Sequence, residues 1–295
     1  GAMLALGWFA LQSCLREENG PALERFLRGL EFITLTALAL TLSLGAFGAL
    51  GIGVLVMHFY GKECFSSLLC RLAEMIFAGG CGILLYIAGN ATNWPWLCLI
   101  LCGYILIGAW YRGQFERELS DGKWAKLLIC LTGALGAGVV AFLRPNAAAT
   151  FAERLAMIRN GLGYLGVDPL LGVGPYQWRR LNLQDADTYF NTWHIHNVFV
   201  HVGVELGLIA MAMLAIAVVR HFRKREDPAQ RGAFSAALVH NLMDTSFFYM
   251  ATVPFLIMTA GDGEGKKRRL SGTAVKCMFS VFAVLFAWNM VQIFW

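Results

Sequence analysis

The 295 residues read as an all-α polytopic membrane protein, on three grounds. Hydrophobic residues make up 58% of the chain and charged residues only 15%, whereas soluble globular chains carry roughly a quarter charged. The apolar residues gather in blocks of about 13 to 30, the run that bilayer-spanning helices need. Aromatics at 13%, with nine Trp, suit a chain crossing two interfacial belts. A water-soluble enzyme, a disordered chain and a fibrous chain are excluded together.

The blocks fall at 2–15, 30–60, 75–89, 94–111, 127–143, 198–219, 232–261 and 273–295. All seven Lys lie in or beside short connectors, so the net charge of +5 signals orientation rather than nucleic acid. The loop Arg112–Lys126 and the runs 220–225 and 266–269 are short and basic, hence cytoplasmic. Residues 144–197 then lie outside. The chain divides into N-terminal membrane helices (1–143), an external loop (144–197) and C-terminal membrane helices (198–295).

Block 232–261 starts and ends beside cytoplasmic runs, so it must rise and return. Its residues make about 45 Å of helix, while two crossings need about 60 Å. A hairpin of short helices follows, with its tip near Asp244-Thr245-Ser246. Block 30–60 reads the same way, broken near Ser43-Leu44-Gly45. The total is about ten transmembrane or half-membrane helices. The eight Cys lie in or beside apolar segments and set no disulfide or zinc spacing. Gly1-Ala2-Met3 lacks the basic start of a cleavable signal and reads as a cut end.

The chemistry is expected in the external loop. Thr150-Phe151-Ala152-Glu153 has the form of a capping box, predicting a short helix from Phe151 to Asn160 that the following glycines stop. Asp168 to Pro175 is a turn-rich apolar segment expected at the membrane surface. The loop carries five Arg and no Lys: Arg144, Arg154, Arg159, Arg179 and Arg180. Arg suits planar, bidentate recognition of phosphate, so the group points to anion binding. Some of these Arg are also expected simply to pair with Glu153, Asp168, Asp185 or Asp187.

The loop ends Trp193-His194-Ile195-His196-Asn197, directly before a membrane helix. Asn197 is a good N-cap, which sets His196 beside unpaired backbone N–H groups. That positive helix end keeps the imidazole neutral and able to accept a proton near pH 7. His196 is therefore the candidate general base. A metal site on His194, His196 and His201 is the weaker alternative, because the spacing is irregular. His201 with Glu205, and His240 with Asp244, are i,i+4 pairs expected to serve as structural partners.

These residues resemble a known family. Asp168-Pro169-Leu170-Leu171-Gly172-Val173-Gly174-Pro175, then His196-Asn197 and Glu205-Leu206-Gly207-Leu208, look like the core of the O-antigen ligase/polymerase family. His196-Asn197, nine residues and Gly207 resemble its His-Asn-x9-Gly signature. His240-Asn241-Leu242-Met243-Asp244 with Pro254, and Thr41-Leu42-Ser43-Leu44-Gly45-Ala46, resemble two further blocks. Leu44 stands where the family usually has an Arg that helps to hold the donor diphosphate. The resemblance spans about residues 35–261, and family members usually carry more membrane helices ahead of it.

The resemblance implies a glycosyltransferase-C-like fold in a bacterial inner membrane, with the active site on the periplasmic face. It implies transfer of a glycan from undecaprenyl diphosphate to lipid A-core, another glycan or a protein, with no metal or other cofactor. His196 would be the base. Arg154 and Arg159, then Arg179 and Arg180, would bind the donor, with Asn197, Gly172 and Gly174 beside them. His201, Glu205, His240 and Asp244 would support the site. The competing readings are a lipid-linked glycan transporter and an inactive, glycan-lipid-binding member. Polar residues concentrated in one external loop favour the enzyme over a transporter, which should carry them deep in its bundle.

Overall fold

The structure is a computed structural model, and it describes residues 1–17, 20–91, 145–184 and 190–248, together with positions 103, 131 and 135. The described elements are α1 (Ala2–Leu15), α2 (Pro21–Leu40), α3 (Leu44–Gly61), α4 (Phe65–Ala91), α5 (Ala147–Leu165), α6 (Gln177–Gln184), α7 (Val198–Lys224), α8 (Pro228–Asn241) and a 3₁₀ turn, Ser246–Phe248. The described residues are helical, with no strand among them. Among the described residues, three helices are long and apolar enough to cross a membrane: Leu44–Gly61, Phe65–Asn90 and Val198–Lys224. Blocks 94–111, 127–143 and 273–295, apart from positions 103, 131 and 135, and the returning half of the hairpin expected at 232–261 lie outside the described residues.

Block 30–60 breaks where expected. Ser43 is extended and its hydroxyl accepts from the Ala46 N–H, capping α3. The two helices are not short, however: α2 has 20 residues and α3 has 18. α2 reaches back to Pro21, which suits a first helical turn, and Arg28 pairs with Glu24 one turn away at 2.8 Å. Charged helix formers extended the helix beyond its apolar run. α4 likewise starts at Phe65 rather than near residue 75, with Arg71 turned back onto Glu63.

Trp8, Phe9, Leu35, Leu38, Leu50 and Met57 are fully buried at the centre of the bundle. α3 and α8 meet backbone to backbone, because a Cβ on Gly53 would stand 2.6 Å from the Gly232 carbonyl. Small residues at such a crossing are what membrane helices use to approach closely. At one end of the bundle Arg16 pairs with Glu63 at 2.5 Å, and Ser13 donates to Asp227 at 2.8 Å. Tyr60 and Phe222 stack edge-on there, 5.5 Å apart. The basic run 220–225 thus shares an end with the turn at residues 62–64, and the Ser43 turn and the tip after α8 share the other.

α7 is two helices joined at Gly207, whose φ of 83° and ψ of 172° break the helical path. The turn at 169–174 seals the break. Val173 N–H donates to the Val204 carbonyl at 2.8 Å and Gly174 N–H to the Glu205 carbonyl at 3.0 Å. Leu208 N–H donates in return to Pro169 at 2.8 Å. Broken backbone at membrane depth is stable only when its polar groups are satisfied in this way.

Candidate functional site

α5 differs from its expected form. It runs from Ala147 to Leu165, and Thr150 sits inside it with its hydroxyl on the Asn146 carbonyl, so no capping box forms. Gly161 does not stop the helix. A Cβ there would lie 2.7 Å from Ile195, so glycine makes room for the chain leading to α7. That packing lays α5 along the first turns of α7, with Met157, Ile195, Val200 and Val204 buried between them.

Asn197 caps α7 as expected. Its side-chain oxygen accepts from Val200 N–H at 3.0 Å, and its amide nitrogen donates to the Leu242 carbonyl at 3.1 Å. The whole amide is therefore engaged within the fold, and it draws the tip after α8 against the start of α7. The cap also fixes His196, one residue earlier, facing that tip.

There the groups converge on Asp244. His196 Nδ1 lies 4.0 Å from Asp244 Oδ1, while Arg154 and His240 approach Oδ2 at 3.4 and 3.9 Å. Arg154 also donates to the Met243 carbonyl at 2.6 Å, and His240 Nδ1 faces Ser246 Oγ at 3.0 Å. His196 Nδ1 is buried and has no hydrogen-bond partner among the described residues. Burial, and then the Arg154 guanidinium, hold its imidazole below the ordinary histidine range, with Asp244 pulling the other way. The ring is neutral near pH 7 for these reasons rather than for the helix end alone.

His194 faces elsewhere. Its ring stacks on Phe248 with centroids 4.4 Å apart, and its Nδ1 meets His201 Nε2 at 3.2 Å. His201 in turn lies 3.6 Å from Glu205, the expected i,i+4 pair. Burial lowers the His194 pKa. Among the described residues, no three His, Cys, Asp or Glu side chains gather as a metal site.

The remaining loop residues separate by role. Arg159 is exposed on α5, well around the helix from Arg154. Arg180 is exposed on α6. Arg179 turns inward, donating to the Thr192 carbonyl at 2.8 Å and covering the Trp193 ring at 4.9 Å. Gly172 and Gly174, at φ 75° and 102°, form the turn that seals α7. A Cβ on Gly172 would stand 2.5 Å from the Glu205 backbone. Arg144, Asp185, Asp187 and Pro254 lie outside the described residues.

The sequence paired Asp244 with His240 alone. Its contacts to Arg154 and His196 join residues 90 and 48 positions apart, and no local spacing encodes them. Compared with protein-family models, curated proteins and solved structures, the chain matches none.

Proposed function

We propose that this protein is a membrane glycosyltransferase of O-antigen ligase-like type. It takes a glycan from a polyprenyl diphosphate such as undecaprenyl diphosphate and gives it to an acceptor hydroxyl on lipid A-core, a glycan or a protein. One observation carries this reading: a half-buried, neutral His196 facing Asp244 and Arg154 at one end of an apolar bundle. By the basic run 220–225 at the opposite end, that end is read as the outer face of a bacterial inner membrane.

The chemistry follows from the groups. His196 Nδ1 points inward at Asp244, so Nε2 is the nitrogen that takes the acceptor's proton. The acceptor oxygen then bonds to the anomeric carbon, and the bond to the diphosphate breaks with its electron pair leaving on the phosphate. Asp244 stabilises the imidazolium as it forms. Arg154 has five N–H donors, and among the described residues it places two of them on Met243 and Asp244. The others would hold the departing charge.

The break in α7 is a feature a transporter would share. Its carbonyls are bonded to the 169–174 turn instead of lining a path, which favours the enzyme.

The test is transfer by the full chain in nanodiscs, from an undecaprenyl-diphosphate-linked oligosaccharide to lipid A-core. Products should include the glycosylated acceptor and free undecaprenyl diphosphate in equal amounts, both lost in His196→Ala. Transbilayer movement of the donor without any diphosphate release would overturn the proposal.

A further inference from the structure

α5 carries more apolar surface than the described residues cover. Phe151, Leu155 and Leu162 are each about half exposed, and at one residue per 100° they fall on a single stripe roughly 40° wide. Ile158, partly buried, lies beside it. The face that packs on α7, through Met157 and Gly161, is well around the helix from this stripe. Burial against the described residues therefore does not explain it.

The stripe does not end with the helix. Val167, Leu170 and Leu171 continue it, with Leu171 72% exposed. This turn is bonded to α7 at the Gly207 break. Along α7 every residue from Val198 to Glu205 is buried or half-buried, and outward exposure begins at Leu206, followed by Leu208 and Ile209. Only below the break is α7 a bare apolar surface, as a membrane span is. The apolar surface of 151–171 is thus continuous with the level at which α7 enters the hydrocarbon.

We infer that α5 and the turn after it form an interfacial element seated in the outer phospholipid leaflet. A long, contiguous apolar patch on an amphipathic helix is the signature of such binding. Arg159 fits the same arrangement. It borders the apolar stripe on the side away from the protein and is exposed, so its stem lies along acyl chains while its guanidinium meets headgroup phosphates. Arg154, on the opposite edge, faces the protein and Asp244. One helix thereby presents one Arg to the lipid surface and another to the cluster at His196. The inference does not depend on glycan transfer.

The test uses the unaltered full chain in nanodiscs containing a phosphatidylcholine with a photoactivatable carbene precursor high on its acyl chain. After illumination and proteolysis, mass spectrometry should find lipid adducts on Phe151, Leu155, Leu162, Leu170 and Leu171, as well as on α7 below Gly207. Hydroxyl-radical footprinting of the same sample should find those side chains shielded from water. Adducts confined to the membrane spans, with the stripe open to radicals, would overturn the inference. So would a stripe shielded from radicals but free of adducts, because protein rather than lipid would then cover it.

Discussion

His196 and Asp244 stand 48 positions apart in sequence, yet His196 Nδ1 and Asp244 Oδ1 are 4.0 Å apart in the fold. Arg154 reaches the other carboxylate oxygen of the same residue at 3.4 Å. Asp244 therefore sits between a cation and an imidazole, and the two neighbours of His196 act on it in opposite senses. Arg154 lowers its pKa and Asp244 raises it.

This opposition gives the first prediction. Transfer needs the neutral ring, so its rate rises with pH through the His196 pKa. Arg154→Gln removes a cation and should move that rising limb to higher pH. Asp244→Asn removes an anion and should move it to lower pH. The pH–rate profile of each variant checks this, and shifts of the same sign would show that neither residue acts through His196. Both variants should also slow transfer at the plateau, by loss of charge stabilisation.

The second prediction separates the two loop histidines. His196→Ala should cost transfer by about 10²–10⁴-fold with the protein still folded. His194→Ala should cost thermal stability instead, because it removes the stack on Phe248 and the contact with His201. Added chelator should leave transfer unchanged. Equal catalytic losses from both variants, or inhibition by chelator, would point to a His-metal site.

What the sequence disclosed depended on how local each signal was. The break at Ser43 and the Asn197 cap each rest on residues within a few positions, and each stands where expected. Of the hairpin expected at 232–261, the described residues show the first helix ending at Asn241 and a turn after it. Gly161 was misleading because glycine serves two ends, stopping a helix or admitting a neighbour, and only the fold reveals Ile195 against it. Gly172 and Gly174 read as neighbours of the donor site, whereas the space beside Gly172 is filled by the α7 backbone and that beside Gly174 faces the Gln177 side chain. Arg179 looked like Arg154 in sequence. Its separate duty, holding the 190–193 segment, depends on a carbonyl 13 positions away.

The third prediction tests that division among the arginines. Arg154→Lys should recover only part of the transfer lost in Arg154→Ala, since a single ammonium cannot serve Met243, Asp244 and a diphosphate in a planar fork. Arg180→Ala should leave both transfer and stability close to wild type. Arg179→Ala should lower the melting temperature by freeing Thr192 and Trp193. A full rescue by Arg154→Lys would assign that residue to general charge.

The fourth prediction concerns the break in α7. Gly207 has backbone angles that other residues hold only under strain, and a Cβ there would stand 2.0 Å from the Leu170 carbonyl. Gly207→Ala carries a strain penalty of about 1–3 kcal/mol, and the clash adds to it. Thermal unfolding in detergent should show a clear loss of stability. Gly48→Ala is the control, because nothing lies within 4 Å of the added methyl. Equal melting temperatures for the two variants would mean that the 169–174 turn is not packed against the break.

The last prediction is a stability profile in pH. His194 and His196 are both held below the ordinary histidine value of 6.5, in each case chiefly by burial. Below that value the unfolded chain binds protons that the folded chain refuses, so folding loses free energy as the solution is acidified. Above it both states hold neutral rings and the contribution is complete. The melting temperature of the purified chain should therefore be level above about pH 7 and fall as pH drops through 6.5 and below. His196→Gln, which keeps a polar side chain but cannot titrate, should flatten part of that fall. A melting temperature that stays level to pH 5 in wild type would show that both rings are free to protonate in the folded chain, and would remove the basis for a neutral His196.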